Sequence, residues 1–289
     1  MTVTEIARAK INLFLHVGGV RADGLHDLFS VFVFADYGDL ISLTPASDIE
    51  LTINGQFSEA LKDTPPQDNL IWRAAFGLQE LTGHTSGVAI NLEKRLPIAA
   101  GIGGGSADAA AALRGLIRLW DLAVPADALH DLAFTLGADV PACLQQSPIA
   151  ISGAGEIVNP GPVLGDFWVC LINPNIPMPT GPVFKAYDVA NQNPPAPNLD
   201  ISDNYATKDT LKELFAKTRN DLEAPARALA PVIDQVLMML TDQPGAIAAR
   251  MSGSGATCFG FFENEIDAGA AARAAEAKGW WSAAAPVCT

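Results

Sequence analysis

Basic residues are scarce in this chain: 18 Lys and Arg stand against 32 Asp and Glu in 289 residues, for a net charge of −14. Nucleic-acid binding needs clustered Lys and Arg to meet phosphates, and so acidic a chain lacks that footprint. An anionic membrane surface would repel it as well. Cysteine is equally sparse. Cys143, Cys170, Cys258 and Cys288 are widely scattered, with no CxxC pair and no disulfide framework, so reduced thiols in a cytoplasmic protein are expected. No secretory signal is legible near the start, where Glu5 interrupts any apolar run. The longest uncharged stretch, Phe167 to Phe184, contains Pro174, Pro177, Pro179 and Pro182 and cannot be a spanning helix. The four histidines form neither HExxH nor a clustered ligand spacing, so no metal-ligating set is expected from the side chains.

What is present is a globular composition, 49% hydrophobic and 17% charged. The length suits one large domain or two of about 150 residues. Short apolar runs at Ala9–Val17, Phe29–Ala35 and Asp39–Thr44, parted by Gly and Asp, read as strands, with another at Leu51–Ile53. Asn69–Thr82 has helical periodicity and ends at Gly83, and Val88–Leu92 alternates as a strand. The Ala- and Leu-rich stretch from Ser106 to Leu122 predicts a helix; a second starts behind Pro125 and stops at Gly137. Strands are expected at Ile149–Ile151, Trp168–Ile172 and Cys258–Phe262. Helices are expected at Lys208–Thr218, Pro225–Thr241 and Ile266–Lys278, and an exposed loop over Ala190–Ser202. The second strand–helix set argues for two packed α+β lobes, 1–155 and 156–289, with a ligand cleft between them.

The strongest chemical signal is the run Pro97, Ile98, Ala99, Ala100, Gly101, Ile102, Gly103, Gly104, Gly105, Ser106, Ala107, Asp108. Four of the five positions 101–105 are glycine, which lets the backbone approach a ligand closely. The helix that follows turns its unpaired N–H groups and positive end toward the loop, an arrangement suited to a nucleotide polyphosphate. Two familiar templates fail. No Lys lies in the loop as a Walker A motif requires, and Ser106 occupies the third glycine position of the dinucleotide fingerprint. The plainer reading is a flexible loop capped by Ser106; the strand before and the helix after favour phosphate binding. A second cluster, Met251-Ser-Gly-Ser-Gly-Ala-Thr257, is either a hairpin-like turn or another backbone cradle beside the first. Without GxSxG spacing, Ser254 is a poor elbow nucleophile.

A few polar residues stand in unusual places. Lys10 lies inside an apolar strand with Asn12 on the same face, either a solvated strand residue or a placed cation. Asp139 lies between the helix-ending Gly137 and Pro141, where a capping carboxylate is the simple explanation. His26 sits in a loop with aromatics nearby and could be an ordinary surface histidine.

In chain order, Ala9-Lys-Ile-Asn-Leu-Phe-Leu15, Arg21-Ala-Asp-Gly-Leu-His26, Asp36-Tyr-Gly-Asp39, Leu96–Asp108, Gly137-Ala-Asp-Val-Pro141 and Met251–Ala256 resemble the GHMP kinase superfamily over nearly the whole chain. The first two blocks are similar to those of its branch acting on a cytidine diphospho sugar alcohol. The resemblance implies a two-lobed fold, with a ribosomal-protein-S5-domain-2-like N-terminal lobe and a ferredoxin-like C-terminal lobe. It implies phosphorylation of the 2-hydroxyl of that sugar alcohol by ATP with Mg²⁺, in the non-mevalonate supply of isoprenoid precursors. By the same resemblance Lys10 and Asp139 are the catalytic pair, and Pro97–Ala107 holds the ATP phosphates. Asn12 positions the substrate, His26 with Phe32 and Phe184 forms the cytidine pocket, and Thr180 lies beside it. The chain departs at Leu25, where the family often carries Tyr. In this mechanism Asp139 takes the hydroxyl proton, while Lys10 orients it and steadies the developing charge. The alternatives are a GHMP kinase of homoserine or mevalonate type, which does not need the Arg-Ala-Asp-Gly-x-His loop, and a non-catalytic nucleotide sensor. The expected partners are the small-molecule substrate and ATP, with neither nucleic acid nor membrane, for a cytoplasmic monomer or homodimer.

Overall fold

The computed structural model describes residues 1–190, 200, 201 and 204–289. The chain divides into two compact units that interleave along the sequence. The first comprises Met1–Ala9, Tyr37–Ile98 and Gly103–Gln145; the second comprises Lys10–Asp36, Ala99–Ile102 and Gln146–Thr289. Two long strands, β1 (Val3–Val20) and β2 (His26–Ala46), contribute residues to both.

In the first unit, β3 (Ile49–Asn54), α1 (Leu70–Thr82) and β4 (Gly87–Glu93) form a crossover. β3 and β4 pair in parallel from Ile49 opposite Val88 to Asn54 opposite Glu93. On its other side β4 runs antiparallel to β2, from Leu40 opposite Glu93 to Ala46 opposite Gly87. Parallel neighbours need such a connection, and α1 supplies it. The Asn69 side chain caps α1 by accepting the Ile71 N–H at 2.9 Å, and the helix stops at the left-handed Gly83. Three further helices follow: α2 (Gly104–Leu119), α3 (Ala126–Leu136) and α4 (Val140–Gln145). Ala107, Ala109, Ala110, Ala111, Ala112, Leu113 and Leu116 of α2 are all buried, so this helix is enclosed on most of its circumference. It helps form a core with Ile41, Leu43, Ile71, Leu78, Ile90 and Leu92.

The second unit holds β5 (Ile149–Gly153), β6 (Ile157–Pro160), β7 (Trp168–Asn173), α5 (Thr180–Ala190), α6 (Lys208–Lys217), α7 (Glu223–Leu229), α8 (Val232–Thr241), β8 (Ala248–Met251), β9 (Cys258–Phe262), α9 (Glu265–Glu276) and β10 (Trp281–Cys288). Its sheet is antiparallel in the order β2-β10-β7-β9-β8; β5 pairs with the early part of β2 and with β6. Leu15, Ile172, Val236, Leu240, Phe262 and Ala271 lie in its hydrophobic core. No described helix is long and apolar enough to cross a membrane.

The expected α+β character holds, and the differences in detail have local causes. The three strands read from the first fifty residues are two, because the turn-like Asp36-Tyr-Gly-Asp39 continues β2 without a break. Gly38 sits there because a side chain would stand 1.9 Å from the Ala7 carbonyl oxygen. The helix after the glycine loop begins at Gly104 with Gly103 as its N-cap, ahead of Ser106. The helix expected over Pro225–Thr241 is two, α7 and α8, because Pro231 cannot donate within a continuous helix. Elements α4, α5, β6, β8 and β10 went unread in the sequence. Apart from residues 190, 200 and 201, the expected loop over Ala190–Ser202 lies outside the described residues.

Candidate active site

The two glycine clusters meet in the second unit. Four consecutive carbonyls of the first are held by protein donors. The Met178 N–H donates to Ala99 O at 3.2 Å, Thr257 N–H to Ala100 O at 3.1 Å, and Lys10 N–H to Ile102 O at 3.0 Å. The Ser252 hydroxyl donates to Gly101 O at 2.9 Å. All four oxygens, which would repel an anion, are therefore engaged by the protein. Along the same segment φ is positive at Ala99 (50°), Gly101 (75°) and Gly103 (64°) and negative between them. Alternating hands of this kind turn successive N–H groups toward one side and make an anion-binding concavity. A Cβ on Gly101 would stand 2.4 Å from the Ser252 carbonyl oxygen, so the approach of the clusters excludes any side chain there. Met251–Thr257 is thus no bare hairpin turn; it packs against the first loop.

Lys10 lies against this cradle. It is 5% exposed, which removes the solvated-strand reading. Its Nζ donates to Asn12 Oδ1 at 3.0 Å and sits 4.0 Å from the centre of the Phe32 ring. Asn12, also buried, donates through Nδ2 to Ser30 Oγ at 2.9 Å and through its backbone N–H to Ser252 Oγ at 3.1 Å. The Lys10 ammonium is held between an amide oxygen and an aromatic face, a setting that fixes a cation in place.

His26 begins β2. One ring nitrogen, Nε2, shares a hydrogen bond with Asp188 Oδ1 at 2.7 Å, and the ring lies 4.9 Å from that of Phe184 and 6.2 Å from that of Tyr187. The Tyr187 hydroxyl donates to the Val17 carbonyl at 2.6 Å, and burial pushes it up to about 12. Thr180, the first residue of α5, shares a hydrogen bond of 3.1 Å with Ser254 Oγ. The structure therefore groups His26 with Phe184 and places Phe32 under Lys10 instead. Six residues of extended strand, roughly 20 Å, separate positions 26 and 32.

In the first unit, Pro97 and Ile98 lead into the loop, and Gly103 caps α2. The first intrahelical bond, Ala107 N–H to Gly103 O at 2.8 Å, leaves the amides of Gly104, Gly105 and Ser106 ahead of it, without helical acceptors. Asp139 is half-buried and sits where α4 starts, its carbonyl accepting the Cys143 N–H at 3.0 Å.

Beneath the start of α2 lies a buried ionic triad that the sequence did not reveal. The Lys94 ammonium pairs with Asp39 and, at 2.7 Å, with Asp108, and all three side chains are almost wholly enclosed. Burial alone would lower the Lys94 ammonium, but Asp108 and Asp39 outweigh it and raise it. Burial pushes Asp108 up to about 8 against the pull of Lys94, and the Asp39 charge adds to the push. Asp188, Ser252 and this triad are the residues that sequence reasoning left without a role. Asp39 and Asp108 stood inside quoted motifs, whereas Asp188 carried no signal.

The family model for the GHMP kinases N terminal domain matches residues 69–147, and that for GHMP kinases C terminal matches residues 206–279. The chain is 48% identical over 287 residues to a 4-diphosphocytidyl-2-C-methyl-D-erythritol kinase of Rhizorhabdus wittichii, covering 97% of this chain and 93% of that one. It is 49% identical over 282 residues to one of Cereibacter sphaeroides, covering 96% and 97%. A crystal structure of 4-(cytidine 5′-diphospho)-2C-methyl-D-erythritol kinase superposes with a TM-score of 0.81 at 32% identity over 99% of both chains. The homoserine kinase of Cytophaga hutchinsonii, with a TM-score of 0.73 at 16% identity over 100% of this chain and 94% of that one, shares the fold. The chain belongs to the GHMP kinases and, within them, to the 4-diphosphocytidyl-2-C-methyl-D-erythritol kinase family.

Proposed function

We propose that this protein transfers the γ-phosphoryl group of ATP to the 2-hydroxyl of 4-(cytidine 5′-diphospho)-2-C-methyl-D-erythritol, giving the 2-phosphate and ADP, in the cytoplasmic supply of isoprenoid precursors. The observation that carries the phosphate side of this reading is the backbone of residues 99–103. Its carbonyls are held by Met178, Thr257, Ser252 and Lys10, and φ alternates in sign, as an anion cradle requires. Phosphoryl transfer asks a protein mainly for positioning and for stabilisation of developing charge, and the residues divide along those lines.

Pro97–Ala107, with the open amides at the start of α2, holds the nucleotide phosphates. Asp139 accepts the proton leaving the attacking hydroxyl. Lys10, kept in place by Asn12 and by the face of Phe32, steadies the negative charge that develops during transfer. In this assignment Asn12 serves the substrate through Lys10, since its own amide is already engaged by Lys10 and Ser30. His26 and Phe184 receive the cytosine, with Thr180 alongside, and Asp188 orients the imidazole.

Among the described residues no three or more His, Cys, Asp or Glu are grouped to hold a metal ion. A Mg²⁺ ion carried by a nucleotide needs no such cage, because it keeps phosphate oxygens and waters and takes one or two protein oxygens. Ser106, in the first turn of α2, would supply such an oxygen, and the ion would neutralise phosphate charge.

The test is ADP release by the purified chain with ATP, Mg²⁺ and candidate alcohols. Turnover is expected with the diphosphocytidyl substrate and not with homoserine or mevalonate. Turnover with homoserine alone would overturn the substrate assignment.

A further inference from the structure

We propose that Lys94, with Asp39 and Asp108, is a positioning group that sets the backbone of the nucleotide-phosphate loop, a role that rests on the kinase reading above. The triad touches both ends of the loop within the first unit. At the entry, one carboxylate oxygen of Asp39 accepts two successive backbone amides, Arg95 N–H at 2.6 Å and Leu96 N–H at 2.8 Å. The other oxygen accepts the Lys94 ammonium, which also donates to Asp108 Oδ2 at 2.7 Å. Asp108 belongs to α2, the helix that begins where the loop ends. One chain of charge-assisted hydrogen bonds therefore joins the strand end, the loop entry and the helix start, and such bonds are short and directional.

The ammonium also supports the helix from below. A Cβ on Gly104 would stand 3.3 Å from Lys94 Nζ, so the first turn of α2 rests close above the cation. Charge balance fits a place beneath a phosphate site. Two ionised carboxylates around one ammonium would leave an excess negative charge under amides that must receive an anion. Burial raises Asp108 to about 8, so near neutral pH it keeps its proton and the excess disappears. Asp108 Oδ1 is buried with no partner, so this carboxyl is not fully satisfied within the protein. A surface ion pair contributes little to geometry, but a triad whose members are at most 6% exposed fixes every atom it binds.

The experiment compares the intact wild-type chain with Lys94→Met, measuring ADP affinity by calorimetry and separate KM values for ATP and for the cytidine substrate. Removing the cation leaves the buried Asp39 carboxylate and the Asp108 carboxyl without their shared donor and can unfold the chain. The double variant Lys94→Met/Asp108→Leu removes the cation with one partner and leaves Asp39 on its two amides, and it serves where the single variant does not fold. In a folded variant, ADP affinity is expected to weaken and KM for ATP to rise by about tenfold to a hundredfold, as for a loop misplaced by a fraction of an ångström. KM for the cytidine substrate stays near the wild-type value. Wild-type ADP affinity and wild-type KM for ATP in a folded variant overturn the proposal. So does a loss of activity that tracks thermal stability with both KM values unchanged. A wild-type chain that binds no ADP would instead remove the kinase reading itself.

Discussion

The Ser252 hydroxyl donates to the Gly101 carbonyl at 2.9 Å and joins two glycine clusters separated in sequence by 151 residues. The contact leaves no room on the glycine. An alanine Cβ at position 101 would lie 2.4 Å from the Ser252 carbonyl oxygen and 2.8 Å from backbone atoms of Gly255, at a φ of 75°. Gly101→Ala is therefore expected to destabilise the chain by more than the roughly 1–2 kcal/mol that a left-handed φ costs an L-residue. It should also abolish ADP binding, because the cradle must open to relieve the clash. Chemical denaturation and calorimetry check both, and normal ADP affinity would show that the cradle is not where the phosphates sit.

Much of this geometry was legible before the structure. The α1 helix announced itself through the Asn69 cap, the apolar periodicity and the Gly83 stop. The glycine run followed by an Ala-rich helix reads as a phosphate loop, and at Gly101 the need for glycine is plain, because a positive φ and the close approach of Ser252 leave no room for a side chain. Other parts were silent. β10 reads Trp-Ser-Ala-Ala-Ala-Pro-Val-Cys, with few of the β-branched residues that signal a strand, and its pairing with β7 decides its conformation. The His26–Asp188 pair spans 162 residues and the Lys94–Asp39 pair spans 55, and no local pattern encodes either. The residues assigned to the substrate stand in recognisable local motifs. Residues that hold those in place could not be guessed, because their partners are brought to them by the sheet.

Arg250 illustrates such hidden support. Its guanidinium donates to the carbonyls of Leu13 (2.7 Å), Phe215 (2.8 Å) and Thr218 (2.7 Å) and to Thr218 Oγ1 (2.9 Å), and it stacks 4.5 Å from the centre of the Phe215 ring. Burial pulls it down to about 10, still charged at neutral pH. Arg250→Met would leave these acceptors buried without donors, at a cost of about 2–4 kcal/mol. A drop of that size in the denaturation free energy is expected, with nucleotide affinity retained in the folded fraction. A variant as stable as wild type would mean that water replaces the guanidinium.

Asp108 makes stability depend on pH in a definite direction. In the native state it keeps its proton up to about 8, whereas the unfolded chain releases it near the ordinary carboxylate value of about 4. Between those values the native state binds more protons, so this group's contribution is fully present below about pH 4 and is lost as pH rises toward 8, with a limiting slope of about 1.4 kcal/mol per pH unit. Asp108→Asn cannot titrate. Its stability between pH 5 and 8 should fall less steeply than that of wild type, and denaturation curves at several pH values measure the difference. Parallel curves would place the proton elsewhere in the triad.

Lys10 and Asp139 test the chemistry itself, and the way each fails distinguishes binding from catalysis. Lys10 Nζ donates to Asn12 Oδ1 and lies over the Phe32 ring, contacts that hold the ammonium in place for the role proposed for it. An interaction made only as charge develops lowers kcat without weakening ground-state binding. Lys10→Ala is thus expected to reduce kcat by about a hundredfold or more, with KM for ATP changed only slightly. If KM for ATP rises instead while kcat holds, Lys10 binds nucleotide and does no more. Asp139→Asn keeps the shape of the side chain and removes its basicity. It should lower kcat by about a hundredfold to ten-thousandfold with ADP affinity intact. Near-normal turnover would mean that the hydroxyl loses its proton to another acceptor, as a loose transition state with late proton transfer would allow.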